Sequence, residues 1–305
     1  MTIAPAASDT RRRTERRRKS REVRTAYLFL LPYLVLLFMF GIFPIFYAFG
    51  LSFVDTIEHV FYGVKNYAFV FADFRVPRAV INVLTFVTIS VTLTMITVAG
   101  LSLMLDSLGR RTAGTLRTIF FLPGAVTSSA IVVLWLFLLD PSVSPFGPVF
   151  AMFNWETRQD VITDIGFAGV FAIMALFATS GGWIVVFGGA LSSLPTEVLE
   201  AARIDGAKGL SLATRIKLPM IWRSLVLMAV LTFAGGLQMF VEPQLMGMGG
   251  ATFSLTDWSL NQLAFEYAFR MGDFGASAAL STLLVGTSII VALVMIFGTR
   301  FYKID

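Results

Sequence analysis

Long stretches of hydrophobic positions alternate along the chain with short polar segments. Six of these stretches exceed the roughly 18 residues that a helix needs to cross a bilayer. The pattern therefore predicts an all-α, polytopic membrane protein with six transmembrane helices, joined by segments too short to be domains. The predicted spans cover roughly residues 26–50, 80–105, 118–139, 165–191, 223–246 and 276–301.

The composition agrees with this class. Hydrophobic residues make up 56% of the chain, charged residues only 14%, and the mean hydropathy is +0.78. A soluble domain carries about 25% charged residues. The chain has no cysteine and a single histidine, His59, which excludes a disulfide framework, an iron–sulfur cluster, a thiol nucleophile and a His- or Cys-based metal centre.

The distribution of basic residues predicts the orientation. If the N-terminus lies inside, nineteen of the 24 lysines and arginines fall on the inner side. Cytoplasmic loops of membrane proteins carry such an excess, so we expect both termini to be cytoplasmic. Residues 1–25, with nine of these basic residues, could instead be a secretory or twin-arginine signal. The apolar run that follows is too long for a signal and shows no small-residue cleavage site.

The basic segment 192–223 has the most distinctive local pattern. Pro195 suits the first turn of a helix, where its missing N–H costs nothing, and Glu197 falls near the positive end of that helix. We therefore predict a short helix over Thr196–Asp205. Small side chains within it would allow close contact with another protein, whereas the alternative interpretation is an amphipathic interfacial loop of no special role.

A turn and a second helix should follow. Gly206 or Gly209 can adopt the positive φ that ends the first helix. We predict a second short helix near residues 210–217, and we expect Pro219 to end it. The result would be a helix–turn–helix on the inner face of the membrane.

This segment resembles the cytoplasmic loop of permease subunits of bacterial ATP-binding cassette (ABC) importers. The pattern is Glu-Ala-Ala at 200–202, then a glycine after three residues, then Ile-x-Leu-Pro at 216–219. In that family the loop is where the membrane subunit contacts its ATPase. The resemblance therefore implies a coupling role for Glu200, Ala201, Ala202, Asp205, Gly206, Leu218 and Pro219.

Further segments resemble the carbohydrate-importer branch of that family, the maltose and glycerol-3-phosphate type. They follow one another in the family's order, although Ala251 replaces a proline often found there. The resemblance implies a type I ABC importer permease fold, with a second, related permease as partner. The matching segments are 63–67 (Gly-Val-Lys-Asn-Tyr), 117–123 (Arg-Thr-Ile-Phe-Phe-Leu-Pro), Gly249-Gly250 with Thr252, Ala268-Phe269 and 275–279 (Gly-Ala-Ser-Ala-Ala).

We divide the chain accordingly. Residues 1–25 form a basic cytoplasmic segment, and 26–79 hold the first transmembrane helix and an outer segment. Residues 80–301 form the type-1 permease core, which includes the loop 192–223, and 302–305 form a cytoplasmic tail.

The chain carries no motif of its own for energy or catalysis. It has no G-x-x-x-x-G-K-[ST] phosphate loop, and without cysteine the familiar catalytic triads cannot be assembled. We expect no cofactor on this chain and no enzymatic activity. ATP and Mg²⁺ would be used by two partner ATPase subunits.

A substrate path is predicted from depth in the membrane. The middles of the fourth and fifth spans carry polar and glycine-rich clusters at the same depth, on the helices that flank the loop. One interpretation is a midplane cavity, in which glycines expose backbone groups to a sugar and aromatic rings stack on it. The other is helix–helix packing by small residues. In related maltose-type permeases the substrate contacts come from these two helices. The candidates are Thr179, Ser180, Gly181, Gly182, Trp183, Thr232, Gly235, Gly236, Gln238, Met239 and Phe240.

Glu242 is a further candidate, because carboxylates within a membrane are usually functional. On a continuous helix it would lie about 28 Å from Arg223, near the outer interface, where Pro243 would break the helix. Both a substrate or outer-gate role and a solvated helix end fit this position. His59 is expected to be exposed. The outer carboxylates would contact a binding protein or be solvated: Asp160, Asp164, Asp257 and Asp273.

The sequence thus predicts a permease subunit in the bacterial inner membrane that imports a sugar or sugar-like solute. An extracytoplasmic solute-binding protein would deliver the solute, and neither residue pattern nor charge indicates nucleic acid binding. The alternatives are an importer for a glycerol phosphodiester, polyamine or peptide, or an ion-coupled secondary transporter. The last generally requires ionisable residues at the midplane, which these spans do not offer.

Overall fold

The computed structural model describes residues 23–248 and 255–298. These residues are almost entirely helical, which confirms the all-α prediction. Three segments named above lie wholly or almost wholly outside the described residues: the N-terminal segment, the Gly249-Gly250 and Thr252 motif, and the C-terminal tail. The helices are α1 Val23–Leu51, α2 Lys65–Ala72, α3 Arg75–Asp106, α4 Arg110–Phe121, α5 Ser128–Leu138, α6 Gly147–Met152, α7 Arg158–Ile165, α8 Phe167–Ser192, α9 Thr196–Ile204, α10 Gly209–Met220, α11 Trp222–Leu237, α12 Val241–Met248, α13 Leu260–Phe265 and α14 Phe274–Gly298.

Four of the predicted spans are single long helices: α1, α3, α8 and α14. The predicted third span, 118–139, is corrected in two respects. The observed span begins within the expected loop 106–117, and it is bent by 96° between α4 and α5. Pro123 opens a 3₁₀ turn there (Leu122–Ala125), and Val126 is extended. Proline lacks the N–H that would continue the helix, so the chain changes direction at this point.

The fifth span is broken twice. It is bent by 69° between α10 and α11, and α11 ends at Leu237, well before the predicted end at 246. Gly235 and Gly236 occupy the last turn of α11, where glycine weakens a helix by up to about 1 kcal/mol relative to alanine. After residues 238–240 a separate helix, α12, begins.

The core forms where α3 runs between α8 and α11. In one half, Val83, Phe86 and Val87 of α3 pack with Phe171 and Met174 of α8. In the other half, a second buried cluster joins the same three helices near the loop 192–223. The end of the molecule that carries α4, α9 and α10 is rich in arginine and lysine, and we call it the basic end.

At the opposite end a short hairpin is fixed by the 63–67 segment. Strands β1 (Val54–Asp55) and β2 (Val60–Phe61) pair antiparallel. The buried Asn66 amide donates to the carbonyl oxygens of Ser52 and Val54, at 2.9 and 3.0 Å. A Cβ on Gly275 would lie 2.4 Å from the Val54 carbonyl oxygen, so only glycine fits there. Two of the segments that carried the resemblance therefore meet in space.

A buried ionic cluster locks the start of α3 to the segment after α13. Arg75 donates to both carboxylate oxygens of Asp73, at 3.1 and 2.7 Å, and the fully buried Tyr267 donates to the same carboxylate at 2.7 Å. Burial acts to raise the pKa of Asp73, but the hydrogen bonds from Arg75 and Tyr267 outweigh it and lower the pKa to about 2. The carboxylate thus joins residues 194 positions apart.

We predict that Tyr267→Phe lowers the free energy of unfolding by about 1.5–3 kcal/mol, because it removes a hydrogen bond to a charged group while leaving the ring in place. The measurement is thermal unfolding of the purified protein in detergent. Tyr47→Phe is the matched control, since Tyr47 is 62% exposed. Equal effects of the two substitutions would contradict the role of the hydroxyl.

The same cluster predicts a pH dependence. The pKa of Asp73 is lower in the folded protein (about 2) than its ordinary value of 3.8, so its contribution to stability is complete above about pH 4 and is lost as the pH falls towards 2. The difference in melting temperature between the wild type and Asp73→Asn should therefore shrink over this range. A constant difference from pH 6 to pH 2 would refute this assignment.

Candidate functional site

A cavity of about 330 Å³ opens between α3, α5, α8 and α11. Its wall is largely apolar, with hydroxyl groups spaced around it. Ser90 of α3 and Ser128 of α5 contribute to the wall and were not among the predicted residues. The predicted residues that line it are Thr179, Trp183, Thr232, Gly235, Gly236, Met239 and Glu242.

Ser90 could have been found from the sequence. It shares one face of α3 with Thr94 and Ser102, four and twelve residues further on, and all three are buried. Hydroxyl groups repeated on one face of an apolar helix mark the side that faces protein. Ser90 lies outside the two helices that flank the loop, from which the path residues were predicted.

The other predicted path residues lie elsewhere. Gly181 faces α4, where a Cβ would come within 2.0 Å of the Phe120 carbonyl oxygen, so this glycine permits close helix packing. Gly182 faces open space, with no atom within 4 Å of a Cβ built there. Phe240 packs against Phe265 with the rings tilted, at 5.4 Å between their centroids. Ser180 and Gln238 do not line the cavity either.

Gly236 serves both packing and the cavity wall. A Cβ at this position would lie 2.7 Å from Val87 Cγ2 and 3.3 Å from Phe86 Cε1. The glycine therefore lets α11 approach α3 closely beside the cavity. The two interpretations left open by the sequence, cavity and packing, both apply at this residue.

Glu242 lies in the cavity wall. The distance of about 28 Å from Arg223 holds only for a continuous helix, and the helix is broken at 238–240. Glu242 occupies the first turn of α12, and the buried Pro243 follows it within that turn. Proline is tolerated in a first turn, so Pro243 does not end the helix.

A second cavity of similar volume lies towards the end opposite the basic end. Arg78 and Asn82 of α3 line it together with Asp257 and Trp258. The Trp258 ring packs edge-on against Phe171, at 4.9 Å between centroids, and against Phe86, at 6.5 Å. Because Phe86 and Phe171 line the first cavity, these three rings form the wall between the two.

Three of the outer carboxylates have structural partners. Asp160 forms a capping box with Thr157, whose backbone N–H lowers the pKa of Asp160. Asp164 accepts a hydrogen bond from Trp155 Nε1 at 2.6 Å, and Asp273 accepts one from the backbone of Ala276 at 2.9 Å. These groups organise local turns. His59 is exposed, as expected, in the hairpin turn.

The predicted helix after Pro195 is present as α9, Thr196–Ile204. Both glycines take positive φ, +90° at Gly206 and +50° at Gly209. Backbone N–H groups of Gly206 and Ala207 donate to the carbonyls of Arg203 and Ala202, which is the Schellman arrangement that ends a helix at glycine. The turn therefore depends on a residue that accepts left-handed geometry at 206.

The surface of α9 is open. Glu200, Ala201 and Asp205 are exposed, Ala202 is half-buried, and the apolar Ile204 is 86% exposed. Leu210, just beyond the turn, is also apolar and exposed. Exposed apolar side chains beside small and charged ones are typical of a protein-docking surface.

The second half of the loop is anchored in the body. Lys217 Nζ donates to Asp106 Oδ2 at 2.5 Å, with both side chains largely buried, and this ion pair ties α10 to the end of α3. Leu218 packs in the core cluster there. The prediction that Pro219 ends the second helix is wrong, because α10 continues to Met220. A π-turn over Ala213–Lys217 places Pro219 in the first turn of the next helical segment, where proline is tolerated.

Within the described residues no group of three His, Cys, Asp or Glu side chains could hold a metal ion. The two features with functional character are therefore the cavity and the exposed helix α9. Helices α8 and α11 contribute to the cavity wall, and α9 directly follows α8 in the chain.

A sequence profile for the inner membrane component of binding-protein-dependent transport systems matches residues 99–304. The match includes the loop, three of the four cavity helices (α5, α8 and α11) and α12, whereas most of α3 precedes it. The chain belongs to this family. It is a multi-pass membrane transport subunit, a permease, and not a catalytic one.

Relatives match over nearly the whole chain. The trehalose/maltose transport system permease protein MalF of Thermococcus litoralis is 28% identical and covers 87% of this chain and 90% of its own length. The osmoprotective compounds uptake permease protein GgtC of Synechocystis sp. is 28% identical, with coverage of 92% and 97%. The multiple sugar-binding transport system permease protein MsmF of Streptococcus mutans is 25% identical, with coverage of 91% and 94%.

The fold is that of a solved importer. A chain of the bacterial alginate ABC transporter, in complex with an alginate pentasaccharide-bound periplasmic protein, superposes with a TM-score of 0.79. The two chains are 18% identical, and the match covers 93% of the permease and 96% of that chain. The type I ABC importer permease fold is thereby confirmed.

The adjacent glycines on α8 give a paired test. We predict that Gly181→Ala destabilises the permease by about 3 kcal/mol, because the new methyl group overlaps the Phe120 backbone. Gly182→Ala should be neutral or slightly stabilising, since its methyl group meets open space. Thermal unfolding of each variant measures the difference. If the order were reversed, the placement of α8 against α4 would be wrong.

Proposed function

We propose that this permease forms the translocation path of an ATP-driven importer for a sugar or sugar-like solute. An extracytoplasmic binding protein delivers the solute, and the central cavity receives it after release. Support comes from family membership, from relatives whose names refer to trehalose, maltose and multiple sugars, and from the cavity wall. Hydroxyl groups beside aromatic rings in the cavity wall suit a sugar, which offers hydroxyls and apolar faces.

The observation that carries the proposal of an ATP-driven importer is the exposed helix α9, in a loop that is anchored to the body of the protein. Its Schellman turn fixes the helix direction, and the Lys217–Asp106 ion pair connects the loop to α3. A helix held in this way can pass a force to the body of the protein. We propose that it seats in the ATPase subunit, with Ile204 and Leu210 as apolar contacts around Ala201 and Ala202.

The remaining partners follow from this arrangement. The permease carries no phosphate-loop motif, so two ATPase subunits supply the energy by using ATP and Mg²⁺. A second, related permease completes the path, because one chain offers a single coupling helix for two ATPases. The basic end faces the cytoplasm, in agreement with the positive-inside rule, and alternating access releases the solute there.

The test is the turn at Gly206. Gly206→Val should abolish the stimulation of ATP hydrolysis by loaded binding protein, because valine at φ +90° strains the turn that orients α9. Gly206→Asn is the matched control, since asparagine tolerates left-handed geometry, and it should retain most of the stimulation. Both variants should reach the membrane, since residue 206 lies outside the spans.

The measurement is ATPase activity of the reconstituted complex in proteoliposomes, with and without binding protein and sugar. Stimulated hydrolysis and uptake at the wild-type level in Gly206→Val would refute the coupling role of α9. Equal loss in both variants would show that side-chain volume, rather than backbone geometry, matters at this position.

A further inference from the structure

Among the described residues, the cavity between α3, α5, α8 and α11 is lined by a single ionisable side chain. Sixteen residues line the cavity, and fifteen of them are apolar, aromatic, glycine or hydroxyl-bearing. Glu242 is the exception, and no arginine, lysine or histidine accompanies it in the wall. Within residues 23–248 and 255–298, one ionisable side chain therefore lines the cavity, and it is acidic.

In the part of the permease that the structure describes, no hydrogen bond or ion pair joins the carboxylate of Glu242 to another side chain. Its neighbour Gln244 is engaged instead with the buried Gln262, at 3.1 Å, which fixes α12 in place. Glu242 lies in the first turn of α12, where the positive end of the helix favours a negative group. The charge is therefore held in position and left open to a ligand.

We propose that Glu242 makes this cavity select by charge, so that this permease's side of the path favours a neutral or cationic sugar over an acidic one. A negative solute group about 6 Å from the carboxylate, at an effective dielectric constant of about 20, is disfavoured on the order of 100-fold. A neutral sugar meets no such repulsion and gains hydrogen bonds to the carboxylate, a strong acceptor for hydroxyl groups. An amino sugar gains attraction in addition.

This inference rests on the proposed function in treating the cavity as the path, but the charge preference can be measured without knowing the solute. The solved structural relative imports the acidic polysaccharide alginate. The shared fold therefore does not dictate the charge of the solute. In this permease the cavity wall disfavours a solute of that kind.

The absence of cysteine allows a direct test. Thr179→Cys places one thiol in the cavity wall of the assembled transporter. The thiol is treated with cationic trimethylammonioethyl or anionic sulfonatoethyl methanethiosulfonate, each of which forms a mixed disulfide and releases methanesulfinate. The rate is read as mass added to the permease chain alone, so cysteines of other subunits do not contribute. The quantity compared is the ratio of cationic to anionic rates.

We expect this ratio to exceed that of a small thiol in solution by at least 10-fold. Glu242→Gln should bring it to within about 3-fold of the solution value, whereas Glu242→Asp, which keeps the charge, should preserve it. Thr232→Cys offers a second position in the same wall. A ratio that Glu242→Gln leaves unchanged, a preference for the anionic reagent, or no reaction with either would overturn the inference.

A second readout separates this inference from the proposed function. Neutral sugars that the binding protein accepts should slow the reaction of Thr179→Cys, and uronic acids at the same concentration should not. A charge-dependent rate ratio without protection by any sugar would leave the charge preference standing and count against sugar import. Protection by uronic acids equal to that by neutral sugars would overturn the selection proposed for Glu242.

Discussion

A chain within a bilayer must pair its backbone N–H and C=O groups internally, because lipid offers them no partner. Helices meet this requirement, and a break is tolerated only against protein or a cavity. Both breaks near the middle of this permease obey that rule. The first, at 122–127, lies beside α8, where Gly124 comes close to the Ala178 carbonyl; the second, at 238–240, leads directly into α12. Met239 lies within the second break, Ser128 and Glu242 follow the two breaks closely, and all three residues line the cavity. The interrupted helices thus mark the site.

The breaks also determine where charge can be placed. A continuous fifth span would carry Glu242 to the outer interface, whereas the break brings it into the cavity wall as part of a new first turn. There the helix end stabilises the carboxylate without a basic partner. Among the described residues, oppositely charged side chains form pairs near the two ends of α3, Asp73–Arg75 and Asp106–Lys217. The Glu242 carboxylate in the cavity wall is therefore available to recognise a solute.

The sequence predicted the features that depend on average hydropathy and on local backbone geometry. Apolar runs located the spans, and Pro195 with Gly206 and Gly209 located α9 and its turn. Averaged hydropathy does not detect a break, because Pro123 and the residues at 238–240 leave a run as apolar as before. A single sequence also does not show which face of a helix packs against which neighbouring helix. Gly181 and Gly182 are adjacent, yet one is packed against α4 and the other faces open space.

Helix α3 connects the separate features of the permease. At 32 residues it is about 48 Å long, and it is unbroken. Arg75 at its start belongs to the buried cluster with Tyr267, Ser90 in its middle lines the cavity, and Asp106 at its end holds the loop through Lys217. Packed interiors yield little to compression, so a force on α9 that reaches Lys217 meets a rigid rod. The loop and the cavity wall are therefore joined by one continuous element, although more than 100 residues separate Asp106 from Lys217 in the chain.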